Sequence, residues 1–246
     1  MVPFISVFGS EKISVYNLLA GIALIGAILA FYALAKREKI KEKIVDNMMV
    51  VIVITILFAF MTAVLFNNFV HNHWDFSSIE NFISGFTFYG GFIGGSIVMM
   101  VGCKIVGSDR EEAVRLMDIS AVCLMIGQAV GRIGCFFGGC CYGQETDSIF
   151  GMIYPIHGQM MKVFPVQLYE AAFLGLLFIY SYRHIRNAAL RYMFAYGVFR
   201  FLLEFLRIDD RGVIAFFSPS QWVSLVLIAL GFIILLIKKK RNEKLI

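Results

Sequence analysis

The chain has 246 residues, 59% of them hydrophobic and only 16% charged, with a formal net charge of +5. Soluble domains average roughly 45–50% apolar and about 25% charged, so this composition, with a mean hydropathy of +0.79, excludes a water-soluble globular domain. It also excludes intrinsic disorder, which needs low hydrophobicity and high net charge, and a nucleic-acid-binding surface of ordinary size. A polytopic membrane protein remains, expected as one polytopic domain over residues 1–246.

The first apolar block, 13–35, follows Pro3, Glu11 and Lys12, exceeds a signal-peptide core in length and ends in mixed charge without a cleavage pattern. It therefore reads as a spanning helix and not as a cleaved signal. About 20 apolar residues cross the hydrocarbon core. The windows that satisfy this in chain order are 13–35, 48–66, 82–106, 113–137, 166–182, 191–207 and 219–237. The expected fold is thus all-α, an integral membrane protein of about seven transmembrane helices. The basic segments Lys36–Lys43, Arg110 with Arg115, Arg183–Asn187 and Lys238–Lys244 all fall on one side of seven spans. By the positive-inside rule the C-terminus is cytoplasmic and the N-terminus outside, with 67–81, 138–165 and 208–218 facing the exterior. The basic runs read as topology determinants beside anionic lipid. No Walker-type loop and no His-Glu-x-x-His occurs, and neither a cofactor nor a metal is expected.

Charges inside the spans are costly, about 2.5–3.5 kcal/mol each at the centre, and so point to function. In the sixth window Tyr196, Arg200, Glu204 and Arg207 are spaced four, four and three apart and form one helical stripe. Two arginines against one carboxylate leave a positive excess that calls for an anion, and a phosphate headgroup suits the planar fork of arginine. In the fourth window Asp118, Gln128 and Arg132 share an arc of roughly 80°. Its outer end, Gly131 to Gly143, holds Gly131, Gly134, Gly138, Gly139 and Gly143 and reads as broken backbone lining protein or a cavity.

Taken together and in order, these segments resemble the prolipoprotein diacylglyceryl transferase family. The resemblance covers most of the chain and rests on Gly131-Arg132-Ile133-Gly134 with its Gly-rich turn, Tyr89-Gly90-Gly91-Phe92-Ile93-Gly94-Gly95, Phe164-Pro165-Val166-Gln167-Leu168-Tyr169-Glu170, and Tyr196-Gly197 through Arg207. Ser14-Val15-Tyr16 and Ser220-Gln221-Trp222-Val223-Ser224-Leu225 have counterparts as well. The resemblance implies a transferase that takes phosphatidylglycerol, moves its diacylglyceryl group to a lipoprotein cysteine thiol and releases glycerol phosphate. Its setting would be the bacterial cytoplasmic (inner) membrane, multi-pass, with the active site on the extracytoplasmic side. The partners it implies are a phosphatidylglycerol-like phospholipid, a lipoprotein precursor or other thiol-bearing acceptor, and the membrane.

By position, Arg200 and Arg132 would hold the phosphate, with Arg207 as a second contact and Glu204 positioning the arginines. Tyr16, Gly90, Gly91, Gly139, Gly143, Gln167, Glu170 and Tyr196 would bind substrate. Asp118 would be a further supporting polar group. The chain departs from the family in carrying Tyr89 in place of a histidine, and Cys135, Gly138 and Cys140 in place of Asn, Asn and Glu. Tyr89, Cys135 and Cys140 are therefore candidate catalytic residues, and His71, His73 or His157 could supply a base. Cys135, Cys140 and Cys141 admit four readings: packing or hydrogen bonding, a disulfide, a covalent relay, or a metal site, whose spacing does not match ordinary zinc patterns. Two other functions stay open: a related transferase with a different acceptor (a small thiol, a glycan or another peptide), and a non-catalytic lipid-binding or lipid-moving protein.

Overall fold

The structure, a computed structural model, describes residues 4–7, 11–71, 88–156, 159–208 and 216–243. Along the chain it has the strands β1 (Phe4–Val7) and β2 (Glu11–Ser14), then the helices α1 (Val15–Arg37), α2 (Glu42–His71), α3 (Phe88–Ile105) and α4 (Arg110–Gly138). A second hairpin follows, β3 (Met152–Ile156) and β4 (Gln159–Val163). Helix α5 (Val166–Arg183) leads to α6 (Ala188–Arg191), a π turn at Tyr192–Tyr196, α7 (Gly197–Leu203) and a 3-10 turn at Glu204–Leu206, and α8 (Pro219–Glu243) comes last.

Helices lie over each of the seven windows. Four of them, Val15–Arg37, Glu42–Asn68, Arg110–Gly138 and Pro219–Lys240, are long and apolar enough to cross a membrane. Only 17% of the apolar stretch of α1 and of α2 is buried. Ile22, Ile25, Leu29, Val50, Val53 and Leu57 point outward at 53–66% exposure. A water-facing helix reverses this pattern; a lipid-facing one needs it. The protein is a mostly helical membrane protein.

Two departures from the sequence reading are local. Residues 11–14 pair with 4–7 as an antiparallel hairpin, so α1 starts at Val15. The segment 138–165, expected to face the exterior, contains the β3–β4 hairpin, with Tyr154 opposite Met161. Both hairpins are short, and the second buries Tyr154, Ile156 and Val163 together.

The chain divides into two compact units: Met1–Leu29 with Asp118–Ile246, and Ala30–Met117. In the second of these, α2 and α3 pack closely because α3 is lined with glycine. A Cβ at Gly90 would lie 2.5 Å from both Phe66 Cβ and the Thr62 carbonyl, and one at Gly91 3.1 Å from the Ala59 carbonyl. Small residues on one face let backbones approach where no hydrophobic drive separates helix from lipid. Gly90 and Gly91 line this helix contact. The turn into α4 is set by a reciprocal cap: Glu112 N–H donates to Asp109 Oδ1 at 2.8 Å, and Asp109 N–H to Glu112 Oε2 at 3.1 Å. This bond holds the Asp109 carboxyl below its usual value.

In the other unit the long sixth window is not one α-helix. An extra residue per turn at Tyr192–Tyr196 makes a π bulge, a feature that recurs at functional sites. The stripe begins just after it, so the spacing from Tyr196 onward survives. The helix tightens at Glu204–Leu206 and stops, leaving Arg207 extended.

Candidate active site

Helix α4 carries Arg132 one and a half turns before its C-terminus. The backbone stays helical through Gly138, contrary to the expectation that it breaks from Gly131 onward. Gly134 permits contact instead: a Cβ there would meet the Tyr16 ring at 3.2 Å. The break comes at Gly139, whose φ of +74° is open to glycine at little cost. Gly139 N–H donates to the Phe136 carbonyl at 3.3 Å and Cys140 N–H to the Cys135 carbonyl at 3.2 Å. This is the Schellman closure of a helix end. Cys141 also has a positive φ, +64°, so the chain folds back over the last helical turn.

The second hairpin packs against that turn. The Tyr154 hydroxyl donates to the Phe136 carbonyl, with the two rings edge to face at 5.6 Å. From α5, Gln167 Nε2 donates to the Cys140 carbonyl at 2.6 Å. Gly143 continues the path: its N–H donates to the Phe164 carbonyl at 2.8 Å, and it pairs with Arg207 in a β-bridge. A Cβ on Gly143 would lie 2.5 Å from the Leu206 carbonyl, so only glycine fits there. Gly139 and Gly143 thus act through turn and close approach, and Gly143 sets Arg207 beside the cysteine turn.

The charged groups form one connected set. Arg132 Nε lies 3.0 Å from Glu170 Oε2, and Glu170 is 1% exposed. Glu170 Oε1 accepts the Tyr196 hydroxyl at 2.8 Å. Gln128 joins the two tyrosines of the π bulge, accepting from the Tyr192 hydroxyl at 2.7 Å and donating to Tyr196 at 3.4 Å. Tyr196 feels the charges of both Arg132 and Arg200 and so stands between the two halves of the set. In the second half, Arg200 Nη1 is 2.6 Å from Glu204 Oε2, and Arg207 Nε is 3.9 Å from the same oxygen. Ser218 donates to Glu204 Oε1 at 2.9 Å, and Arg200 Nη2 to Ser220 at 3.2 Å.

Three guanidinium groups therefore face two carboxylates. Glu170, expected from the resemblance to bind substrate, is the ion-pair partner of Arg132. Among the described residues the two terminal nitrogens of Arg132 have no protein partner. A bidentate fork of this kind suits a phosphate.

Asp118 lies elsewhere. It is buried and accepts the N–H groups of Asn187 at 2.8 Å and Ala189 at 2.9 Å. It caps the start of α6 from a distance in sequence and is no part of this set, a correction to its place on the Asp118–Gln128–Arg132 stripe. His73 and His157 lie outside the described residues, as do the side chains of His71 and Tyr89. Tyr192, Ser218 and Ser220 were not singled out as site residues; an uncharged hydroxyl in an apolar run gives no signal until its partner is in view.

The five cysteines are free thiols. Cys103 and Cys123 are buried packing residues. The sulfurs of Cys135, Cys140 and Cys141 all lie within 4.8 Å of one another. They share their protons unevenly. Hydrogen bonds from Cys135 and Cys140, with the charges of Arg207 and Arg132, hold the Cys141 thiol far below its ordinary value, while hydrogen bonding with Cys135 and Cys141, together with burial, pushes Cys140 up.

A phosphatidylglycerol–prolipoprotein diacylglyceryl transferase of Clostridium tetani is 29% identical over 244 residues, 94% of this chain and 96% of its own. A second, from Clostridium perfringens, is 29% identical over 95% of this chain and 94% of its own. One from Cupriavidus metallidurans is 35% identical over 169 residues, 65% of this chain and 62% of its own. The family profile described as prolipoprotein diacylglyceryl transferase matches residues 3–237, a range that takes in every residue of the site built above, so the chain belongs to the prolipoprotein diacylglyceryl transferase family.

Proposed function

We propose that this chain transfers the diacylglyceryl group of phosphatidylglycerol to the cysteine thiol of a prolipoprotein and releases glycerol phosphate. The observation that carries the reading is the charge count at the site: Arg132, Arg200 and Arg207 against Glu170 and Glu204, with the fork of Arg132 open among the described residues. The relatives' names give the substrates this charge would serve.

In this reading the phospholipid phosphate sits on Arg132 and Arg200, with Arg207 as a second contact. The acceptor thiolate attacks the glyceryl carbon. As its bond to the phosphate oxygen breaks, negative charge grows on the leaving glycerol phosphate, and a preorganised positive pocket lowers that barrier. Glu204 orients Arg200 and Arg207; Glu170 and Tyr196 orient Arg132. Tyr16 and Gln167 edge the same set, and Tyr89, Gly90 and Gly91 belong to it by resemblance alone. Cys135 and Cys140 act at the acceptor side. A covalent relay through either would leave a thioether, from which a thiolate is a poor leaving group, so direct transfer to the acceptor is favoured.

The topology proposed with it is one polytopic domain over 1–246 with seven spans. Its N-terminus is outside, its C-terminus is cytoplasmic and its site faces outward from a bacterial inner membrane. The positive-inside distribution of Lys36–Lys43, Arg183–Asn187 and Lys238–Lys244 supports it.

The test is glycerol phosphate release by the purified chain in phosphatidylglycerol proteoliposomes. Release should require a lipoprotein-signal peptide carrying cysteine and stop with the serine peptide. Release only with a small thiol, glycan or unrelated peptide would reassign the acceptor. Phospholipid binding without release under any acceptor would make the chain a lipid-binding protein and end the transferase reading.

A further inference from the structure

We propose that Cys135, Cys140 and Cys141 form a three-thiolate Zn²⁺ site whose fourth position takes the thiol of the acceptor peptide. The inference rests on the transferase reading above and names how that reaction's nucleophile is made.

The geometry comes first. Tetrahedral zinc sits about 2.3 Å from each thiolate sulfur, which places the sulfurs about 3.8 Å apart. The three thiols already lie within 4.8 Å of one another, so closing on a metal asks for about an ångström of movement. A disulfide needs a pair at about 2.05 Å and leaves the third sulfur unused. The turn that gathers them is tied on three sides: by the helix closure at Gly139, by Tyr154 on the Phe136 carbonyl, and by Gln167 on the Cys140 carbonyl. Ligands fixed by their surroundings before metal arrives are the mark of a built site.

The donor set and the charge agree. Zinc sites that do chemistry keep three protein ligands and one open position, and zinc undergoes no redox change when it holds sulfur. Three thiolates and Zn²⁺ carry a charge of −1, and a fourth thiolate makes it −2. The positive charges of Arg207 and Arg132 both bear on Cys141. Gln167 is 1% exposed, and its Oε1 has no hydrogen-bond partner among the described residues. It offers an acceptor to a donor arriving at the Cys140 turn, such as a peptide N–H.

The chemistry supplies the need. A free cysteine thiol has a pKa of about 8.5 and is mostly protonated at neutral pH. The two carboxylates of the site, Glu170 and Glu204, are both held by arginines. A thiol bound to zinc is deprotonated outright, and its proton passes to water. The sulfur then forms a bond to the glyceryl carbon, the carbon–oxygen bond to phosphate breaks with its electron pair going to oxygen, and glycerol phosphate leaves. The thioether product is a weaker ligand than the thiolate and departs.

The test uses the full chain in detergent, reduced, stripped of metal and titrated with Co²⁺ as the spectroscopic stand-in for Zn²⁺. The expected result is one Co²⁺ per chain with intense sulfur-to-cobalt charge-transfer absorption and tetrahedral visible bands, displaced by Zn²⁺. Cys135→Ser, Cys140→Ser and Cys141→Ser should each weaken binding by at least about tenfold. A cysteine-bearing signal peptide should shift the visible bands and its serine analogue should not. Zn²⁺ should also protect three thiols of the unmutated chain from alkylation, which keeps the test intact if a serine variant misfolds. Absence of saturable charge-transfer binding, binding unchanged in all three variants, or bands indifferent to the cysteine peptide would overturn the inference. Peptide-dependent glycerol phosphate release that is unchanged in stripped protein would overturn it alone and leave the transferase reading standing. A peptide-sensitive Co²⁺ spectrum with no release from phosphatidylglycerol would instead sink the transferase reading.

Discussion

Glu170→Gln separates the structural work of the Arg132 pair from its effect on lipid. The substitution keeps the side chain's shape and an acceptor for the Tyr196 hydroxyl, which now sits 2.8 Å from Oε1. It removes the charge that lies 3.0 Å from Arg132 Nε, at a residue 1% exposed. Breaking a buried pair by deleting one partner costs about 3–5 kcal/mol. The Arg132 side chain keeps 18% exposure, so the lower end, about 3 kcal/mol, applies. At about 2–4 °C per kcal/mol for a chain of this size, the lipid-free protein should melt about 6–12 °C lower. The lipid effect has the opposite sign. Three arginines then face one carboxylate, so an anionic headgroup binds more tightly than in the parent. Phosphatidylglycerol at about a hundred times its dissociation constant contributes about 2.7 kcal/mol and should restore most of the loss, whereas a zwitterionic lipid should not. Thermal unfolding in detergent, followed by fluorescence-detected size exclusion with and without each lipid, reads both effects. A variant that melts with the parent, or that gains no more than the parent from phosphatidylglycerol, refutes the view that Glu170 holds a charge waiting for phosphate.

Other outcomes follow from the same geometry. Arg200→Ala and Arg132→Ala should each lower glycerol phosphate release by about a hundredfold or more, since each removes a donor aimed at developing charge; near-parent turnover in either removes it from the site. Gly143→Ala sets a Cβ 2.5 Å from the Leu206 carbonyl and should lower both melting temperature and turnover. Gly175→Ala, on α5 with nothing within 4 Å of its Cβ, should be neutral or stabilise by up to about 1 kcal/mol. The Asp109 carboxyl is held below its usual value by the Glu112 N–H, so its contribution to stability is present above about pH 4 and lost as pH falls through the lowered value. Asp109→Asn, which keeps the cap and loses the titration, should flatten that acid step in a melting-temperature profile.

Much of this protein could be read from its residues in order. Apolar windows of about 20 residues announce helices that face lipid, because no other environment tolerates them. The i, i+4 spacing of Arg200 and Glu204 announces their pairing, and it holds because the π bulge lies before the stripe and not within it. Charged residues in an apolar run marked the site for the same reason: they are too costly to keep without a use.

What the order of residues could not settle was which distant groups meet. Arg132 and Glu170 are 38 positions apart on different helices, and Asp118 caps a helix that starts at Ala188. Neither pairing has a periodic signal, because periodicity reports a single element's face and not its neighbour. Arg207 reaches Glu204 after the helix has ended, through a bridge to Gly143 that no local pattern encodes. The three cysteines show the division most clearly. Their linear spacing matches no ordinary zinc pattern, yet a left-handed glycine and a positive φ at Cys141 bring their sulfurs together. Sequence fixes which side chains exist and which helical face they share; only tertiary packing closes the distances on which charge and metal chemistry depend.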